Sequence, residues 1–504
     1  MADAGKDKVK RARTSLIGHQ LALAASLLLA GCAAGPDFVR PSAPPDRDYL
    51  ATGPPAATVA ARGTSQQFVW GTPVSPTWWT LFGSTALNDI MRAALVRNPS
   101  LQSAQSSLRA SREDLQAGYG VFFPQVDLGL TGVRQRAAAV RGVGVLPGIF
   151  NIFTLGTTVS YLLDLAGGSR RNVERLAAEA AHQRYQVSAT WLTLSGNIVN
   201  TFIARAGYAA QVDATRALLA LLTQQRNIAQ VQADAGTAPY ANVLAIESRM
   251  ASSEASLPLL EQRYQQAGHL LATLAGSTPA TWRAPDIALE HLALPRTLPV
   301  SLPSDLVRQR PDILSAEAVL HGASAEVGVA TAALFPSFRL DGTFGNAASA
   351  LHDTTSPRGR FWSGGAALSQ PLFHGGTLIH QRRAAVEAYS GALADYRATV
   401  LAAFAQVADA LTALGNDARA LEAQVRAVDA ARQSVAILQA NYSAGLVSYI
   451  DVLVADEQLY QARINYVQAL AQRFQDTAAL YLALGGGWWD LQGELKAGGA
   501  EDGR

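Results

Sequence analysis

A chain of 504 residues could hold several globular domains or one elongated architecture, and its length decides neither. Acids and bases nearly cancel to a formal charge of +2, which gives no electrostatic reason to expect nucleic acid, and the single cysteine excludes an intramolecular disulfide. Charged residues are only 16% of the chain, below the roughly 25% of soluble domains, as long small-residue helices and lipid-facing strands would produce.

Lys6, Lys8, Lys10, Arg11 and Arg13 precede an apolar run from Leu21 to Leu29 that closes on Leu29-Ala30-Gly31-Cys32. The run is shorter than the about 20 residues a transmembrane helix needs, and small residues stand where a peptidase cuts, so residues 1–31 read as a signal peptide. Leu-Ala-Gly-Cys looks like a bacterial lipobox, which implies cleavage before Cys32 and its acylation. A chance core cysteine is the plain alternative. Residues 32–75 are rich in Pro, Ala and Gly without helical or strand period and predict a lipidated, extended tether.

Packed structure is expected from Trp78, Trp79 and Phe82 onward, and residues 76–278 form a first unit. Leu87, Ile90, Met91, Ala94 and Leu95 have helical spacing, and Pro99 interrupts before a second helix reaches about Gly118. Beyond the corner Phe123-Pro124, Val126, Leu128 and Leu130 alternate with Asp127, Gly129 and Thr131, the period of a strand. A loop is predicted over Arg134 to Asn151. A returning strand then places Phe153, Leu155, Thr157, Val159, Tyr161 and Leu163 on one side, completing a hairpin over about 124–165.

From about Arg170 to Ala235 no proline intervenes, so one helix of about 100 Å is possible, too long for any globular core. Gly236 to Pro239 turns the chain into a returning helix from about Tyr240 to Ala275, with a kink or break expected at Pro258. Residues 279–303 are Pro-rich and read as a linker.

Residues 304–486 repeat the plan. Pro311, Ile313, Ala316 and Phe335-Pro336 match Pro99, Leu101, Ala104 and Phe123-Pro124 at one constant offset of about 212, which indicates an ungapped internal duplication. A second hairpin spans about 336–373, with strands from Phe338 and Phe361 around a loop from Ala348 to Arg360. In the following helix Leu393, Val400, Val407, Leu414, Leu421, Val428 and Val435 stand seven apart, a heptad seam that requires packed partners. The return helix reaches Leu484, and residues 487–504 are expected to be a disordered tail.

In order along the chain, Gly35-Pro36-Asp37-Phe38, Trp78-Trp79 with Phe82, and Asn98-Pro99-Ser100-Leu101 are followed by Arg310-Pro311-Asp312-Ile313 with Ala316-Glu317. Val327-Gly328-Val329-Ala330 and Ser448-Tyr449-Ile450-Asp451-Val452-Leu453 complete the set. Together they give the chain a resemblance to the outer membrane factor family, the TolC-like proteins, in the efflux lipoprotein branch. The resemblance implies a mixed membrane α/β fold: a homotrimeric β-barrel with four strands per protomer, continued by a long α-helical periplasmic tunnel. It also implies a lipid-anchored, barrel-spanning place in the outer membrane. The expected function is passive efflux, with a periplasmic adaptor and an inner membrane transporter as partners. Four strands cannot close a barrel alone, since the smallest bacterial ones use about eight.

By the same resemblance the gate lies at the turns Gly236 to Leu244 and Gly445 to Leu453. Asp451 matches an acid that rings the entrance, and Tyr442 keeps its ring position with Asn242 as its expected partner. A solvated Asp near a helix N-terminus is the competing reading of Asp451. The chain departs from the pattern at Val447, where some relatives carry an Arg, at Asn242, where its carboxylate partner would be, and at Val454, which replaces a second gate acid with Asp456 nearby. Closure by hydrogen bonds and apolar packing is therefore predicted.

Enzyme signatures are missing from the sequence, and no cofactor or metal is expected. His374 and His380 lie six apart across a turn without an acidic third ligand, and Gly142 and Gly144 fall in a hairpin loop rather than between a strand and a helix. Two other readings remain: the channel of a type I protein secretion system, or a non-conducting periplasmic coiled-coil lipoprotein.

Overall fold

The structure is a computed structural model and describes residues 33–53, 55–137 and 148–488. The signal peptide, Cys32 and the tail after Trp488 lie outside the described residues.

The elements in order are β1 (Gln67–Trp70), α1 (Thr85–Arg97), α2 (Pro99–Tyr119), β2 (Gln125–Ala137), β3 (Gly148–Leu163), α3 (Gly168–Asp234) and α4 (Ala241–Leu274). They continue with β4 (Thr297–Val300), α5 (Pro303–Gln309), α6 (Pro311–Ala332), β5 (Ser337–Ala348), β6 (Arg360–Ser369), α7 (Thr377–Ser443) and α8 (Tyr449–Ala483). Both α3 and α7 are 67 residues long. Pro258 sits inside α4 without ending it, so the break expected there is absent.

The chain divides into two compact units. The first combines Met1–Arg40, Leu108–His182 and Ala316–Tyr396, and holds a four-stranded sheet in the order β2-β3-β5-β6, antiparallel throughout. The strands outrun the sequence expectation. Arg134 pairs with Asn151 and Ala137 with Gly148, so part of the predicted loop is ladder. Cross-strand pairing holds this stretch although its side chains have lost the simple apolar alternation.

The second unit combines Pro41–Ser107, Gln183–Ser315 and Arg397–Arg504. Here the tether and linker readings need correction. Residues from both pair as a parallel two-stranded sheet, β1 with β4, in the register Gln67 to Thr297 and Trp70 to Val300. Phe68, Val74, Leu289, Leu298 and Val300 are buried, as is Gln66. Strands of four residues are too short to display a period, and Pro299 disguises one of them. Arg473 is wholly buried beneath this sheet, where its guanidinium donates to Gln66 Oε1 and Thr58 Oγ1, both at 3.2 Å. These hydrogen bonds partly offset the cost of burying the charge, and they give the stretch around Gln66 a reason to pack there.

The heptad of α7 is observed from Val400 onward, while Leu393 is only half-buried. Val400, Val407, Leu414, Leu421, Val428 and Val435 are all buried, and the last two pack on Ala455, Leu459 and Ala462 of α8. Gly485, Gly486 and Gly487 take positive φ angles of 91°, 65° and 72° and end α8. Packing continues to Trp488, whose indole donates to Gln309 O at 2.8 Å, so residues 487 and 488 do not belong to the expected tail.

Candidate functional site

Two surfaces, one in each unit, carry the predicted functional residues. In the first unit the ladder registers assign every strand residue to a face, because directly paired residues share one. Leu128 pairs with Thr157, Thr157 with Phe344, and Phe344 with Trp362. Val126 and Val159 share the neighbouring row, and Leu163, Phe338 and Leu368 share another. That face is apolar and exposed: Leu128 is 74% and Trp362 80% accessible. The opposite face carries Asp127, Thr158, Thr343 and Ser363 in one row and Ser160 with Asp341 in another. A sheet with one greasy and one polar face, exposed on both, suits lipid on one side and water on the other. Its outer strands β2 and β6 have no further partner among the described residues.

The corners precede β2 and β5. Phe123 adopts an extended φ of −116° and ψ of 149°, as a residue before proline must, and Phe335 precedes Pro336 in the same way. Both rings are exposed, at 67% and 51%. Each corner is stapled by a glutamine amide, Gln125 donating to Gly120 O at 3.0 Å and Gln370 to Leu334 O at 3.1 Å. Gln125 pairs with Ser160 and Ser160 with Asp341, so β2 starts level with Asp341 rather than with Ser337 along the hydrogen-bonding direction. Such a stagger is what tilted strands need if both corners stand on one ring.

In the second unit the two turns share one geometry. Gly236 N donates to Ala233 O and Thr237 N to Gln232 O; Gly445 N donates to Tyr442 O and Leu446 N to Asn441 O. Glycines with φ of 71° and 74° occupy matching left-handed positions at these helix ends. Asn242 N then bonds Pro239 O, and Asp451 N bonds Ser448 O, which makes Asn242 the neutral twin of Asp451.

Asp451 is exposed, and its carboxylate accepts from Ser448 N at 2.9 Å and Ser448 Oγ at 2.7 Å. It caps α8 within the protomer, as the helix-terminus reading expected, while remaining open to solvent. Tyr442 does not pair with Asn242. Its hydroxyl accepts from Gln232 Nε2 at 3.2 Å, and its ring lies 5.1 Å from that of Tyr449. Burial pushes the Tyr449 phenol up to about 12, so that ring stays neutral. Asp456 is no substitute gate acid: it is buried, accepts from Gln225 Nε2 at 3.1 Å, and burial raises its pKa. Leu222, Val243, Ile246 and Leu453 form the apolar packing beside it. Gln232 and Gln225 gave no sequence signal, because their partners lie more than two hundred residues away.

The chain matches the profile of the family described as Outer membrane efflux protein over residues 90–277 and 302–486. It is 30% identical to the pyoverdine export outer membrane protein OpmQ of Pseudomonas aeruginosa over 82% of this chain and 88% of that protein. It is 28% identical to the toluene efflux pump outer membrane protein TtgI of Pseudomonas putida, over 93% and 98%. Among solved structures, the outer-membrane channel OprN superposes with a TM-score of 0.81 at 27% identity, covering 91% of this chain and all of that one. The Campylobacter jejuni CmeC outer membrane channel shares the fold with a TM-score of 0.82 at 20% identity, over 90% of this chain and 95% of that one.

Proposed function

The chain belongs to the outer membrane efflux protein family, and from that premise we propose that it is the passive outer membrane conduit of a tripartite efflux system. The two-faced sheet with open edges is the observation that carries this reading. Four strands leave two unpaired edges in a membrane, where each unsatisfied backbone group costs several kcal/mol. Three copies joined edge to edge would bury them all, forming a barrel with lipid on the Leu128 face and water on the Asp127 face. Helices of 67 residues extend the conduit into the periplasm, with exposed Ile379 and Leu401 on α7 available to a neighbouring copy. The family profile matching in two blocks of similar length supports the internal duplication.

Acylation of Cys32 is consistent with the seat of the residues that follow it. Ala34 N donates to Ala166 O at 2.9 Å, and buried Arg171 binds Ala34 O at 3.2 Å and Asp37 Oδ1 at 2.7 Å. A lipid on Cys32 would thus enter the bilayer beside the strand-to-helix corner of β3. A periplasmic adaptor and an inner membrane transporter deliver the substrate at the helix-end turns, where Tyr442, Gln232 and Tyr449 close the entrance by hydrogen bonding and ring packing. Solvated Asp451, one per subunit, faces the opening and favours cations. Asp451→Ala should reduce the cation preference of the reconstituted pore; unaltered selectivity would remove Asp451 from the lumen.

Deletion of the gene in its host, read by drug sensitivity alongside the level of secreted proteins, tests the functional reading. Heightened drug sensitivity with normal secretion supports efflux. The reverse pattern would make the chain a protein secretion channel.

A further inference from the structure

The apolar face of the sheet is not apolar to its end. Along β2 the residues on that face run Val126, Leu128, Leu130, Gly132 and then Arg134 and Arg136, paired with Asn151 and Ile149 of β3. On β6 the same face begins with Arg360, which shares a row with Asn346, Leu155 and Leu130, and continues to Trp362. All three arginines are exposed, and none has an ion-pair partner among the described residues. No acid shares their face, because the strand acids Asp127 and Asp341 both point to the other one.

Their height is fixed by the corner. Arg134 stands ten residues beyond Pro124, and Asn346, the ladder partner of Arg360, stands ten residues beyond Pro336, which at about 3.3 Å per residue and a tilt of about 45° is roughly 23 Å for each, close to the about 25 Å of a barrel's lipid-facing band. The arginines therefore lie at the edge of the bilayer remote from the helices, which is the exterior edge, with Trp362 and Phe344 just inside. An aromatic girdle followed by unpaired cations matches an interface where acyl chains give way to charged headgroups. Guanidinium is the side chain suited to it, since its planar fork binds phosphate in bidentate fashion.

We propose that Arg134, Arg136 and Arg360 form a lipid-facing binding rim for the phosphorylated headgroups of the outer leaflet. The proposal rests on the outer membrane barrel described above, and its test separates the two. Purified channel is titrated with a phosphorylated outer-leaflet glycolipid, with the same lipid after dephosphorylation, and with inorganic phosphate, reading bound lipid by native mass spectrometry and assembly by thermal melting. The wild-type protein should bind the phosphorylated lipid about tenfold or more tighter than the dephosphorylated one, at roughly fivefold per arginine at most. The triple variant R134Q/R136Q/R360Q should lose that preference, R134K/R136K/R360K should retain part of it, and the single variant R136Q should show a partial loss if the triple assembles poorly. Equal binding of the two lipids, an undiminished preference in the glutamine variants, or equal protection by inorganic phosphate would overturn the rim. Bilayer conductance is recorded on the same samples: conducting protein without phosphate-dependent binding overturns the rim alone, whereas non-conducting wild-type protein overturns the channel reading beneath it.

Discussion

Arg473 and the carboxyls near it show how one buried charge organises its surroundings. Besides Gln66 and Thr58, its guanidinium reaches Thr64 O at 3.4 Å, and burial lowers its pKa. Asp417, on α7, is pushed up to about 7, first by burial, then by its hydrogen bond and charge repulsion with Asp476, against the pull of Arg473. Asp476 in turn accepts from Gln472 Nε2 at 2.8 Å. The neighbouring carboxyl thus favours the protonated form of Asp417. An acid whose folded pKa is raised binds its proton more tightly when folded, so its stabilising effect is complete below the unfolded value near 3.8 and is lost as pH rises through about 7. The melting temperature should therefore fall between about pH 4 and pH 7, and Asp417→Asn should flatten that slope. A slope unchanged in the variant would place the titration elsewhere. At this scale the sequence displayed Asp451 and Tyr442, because they sit in a recognisable run beside a turn. It did not display Asp417, Gln225 or Gln232, whose chemistry depends on a partner from a distant helix.

At the scale of the element, long periodic segments were legible and short ones were not. The heptad of α7 could be read residue by residue because every seventh position from Val400 to Val435 is buried, and the strands because apolar side chains alternate with polar ones. The strands β1 and β4, with four residues each, carry no such pattern, and their pairing joined segments read as tether and linker. Loop ends around Arg134 were misjudged because arginine on the otherwise apolar face breaks the expected alternation. The face assignment has a direct consequence. Leu128→Arg places a charge within the lipid-facing band and should cost about 2–4 kcal/mol, whereas Thr158→Arg, on the polar face, should be close to neutral. Reversible denaturation in micelles measures both, and equal costs would contradict the division of the sheet.

For the whole molecule, the two helix-end turns share one hydrogen-bond geometry, with Asn242 in one standing where the other carries Asp451, as the proposed duplication expects. The open edges of β2 and β6 are the ones that the proposed assembly would pair with other copies. The most direct measurement is an electron-microscopic map of the particle purified from the outer membrane. The account predicts three copies closing one barrel of twelve strands, four from each, with Pro124 and Pro336 of every copy on a single ring and the Leu128 face turned to lipid. A particle of another copy number, or one with the two prolines at different depths, would contradict it.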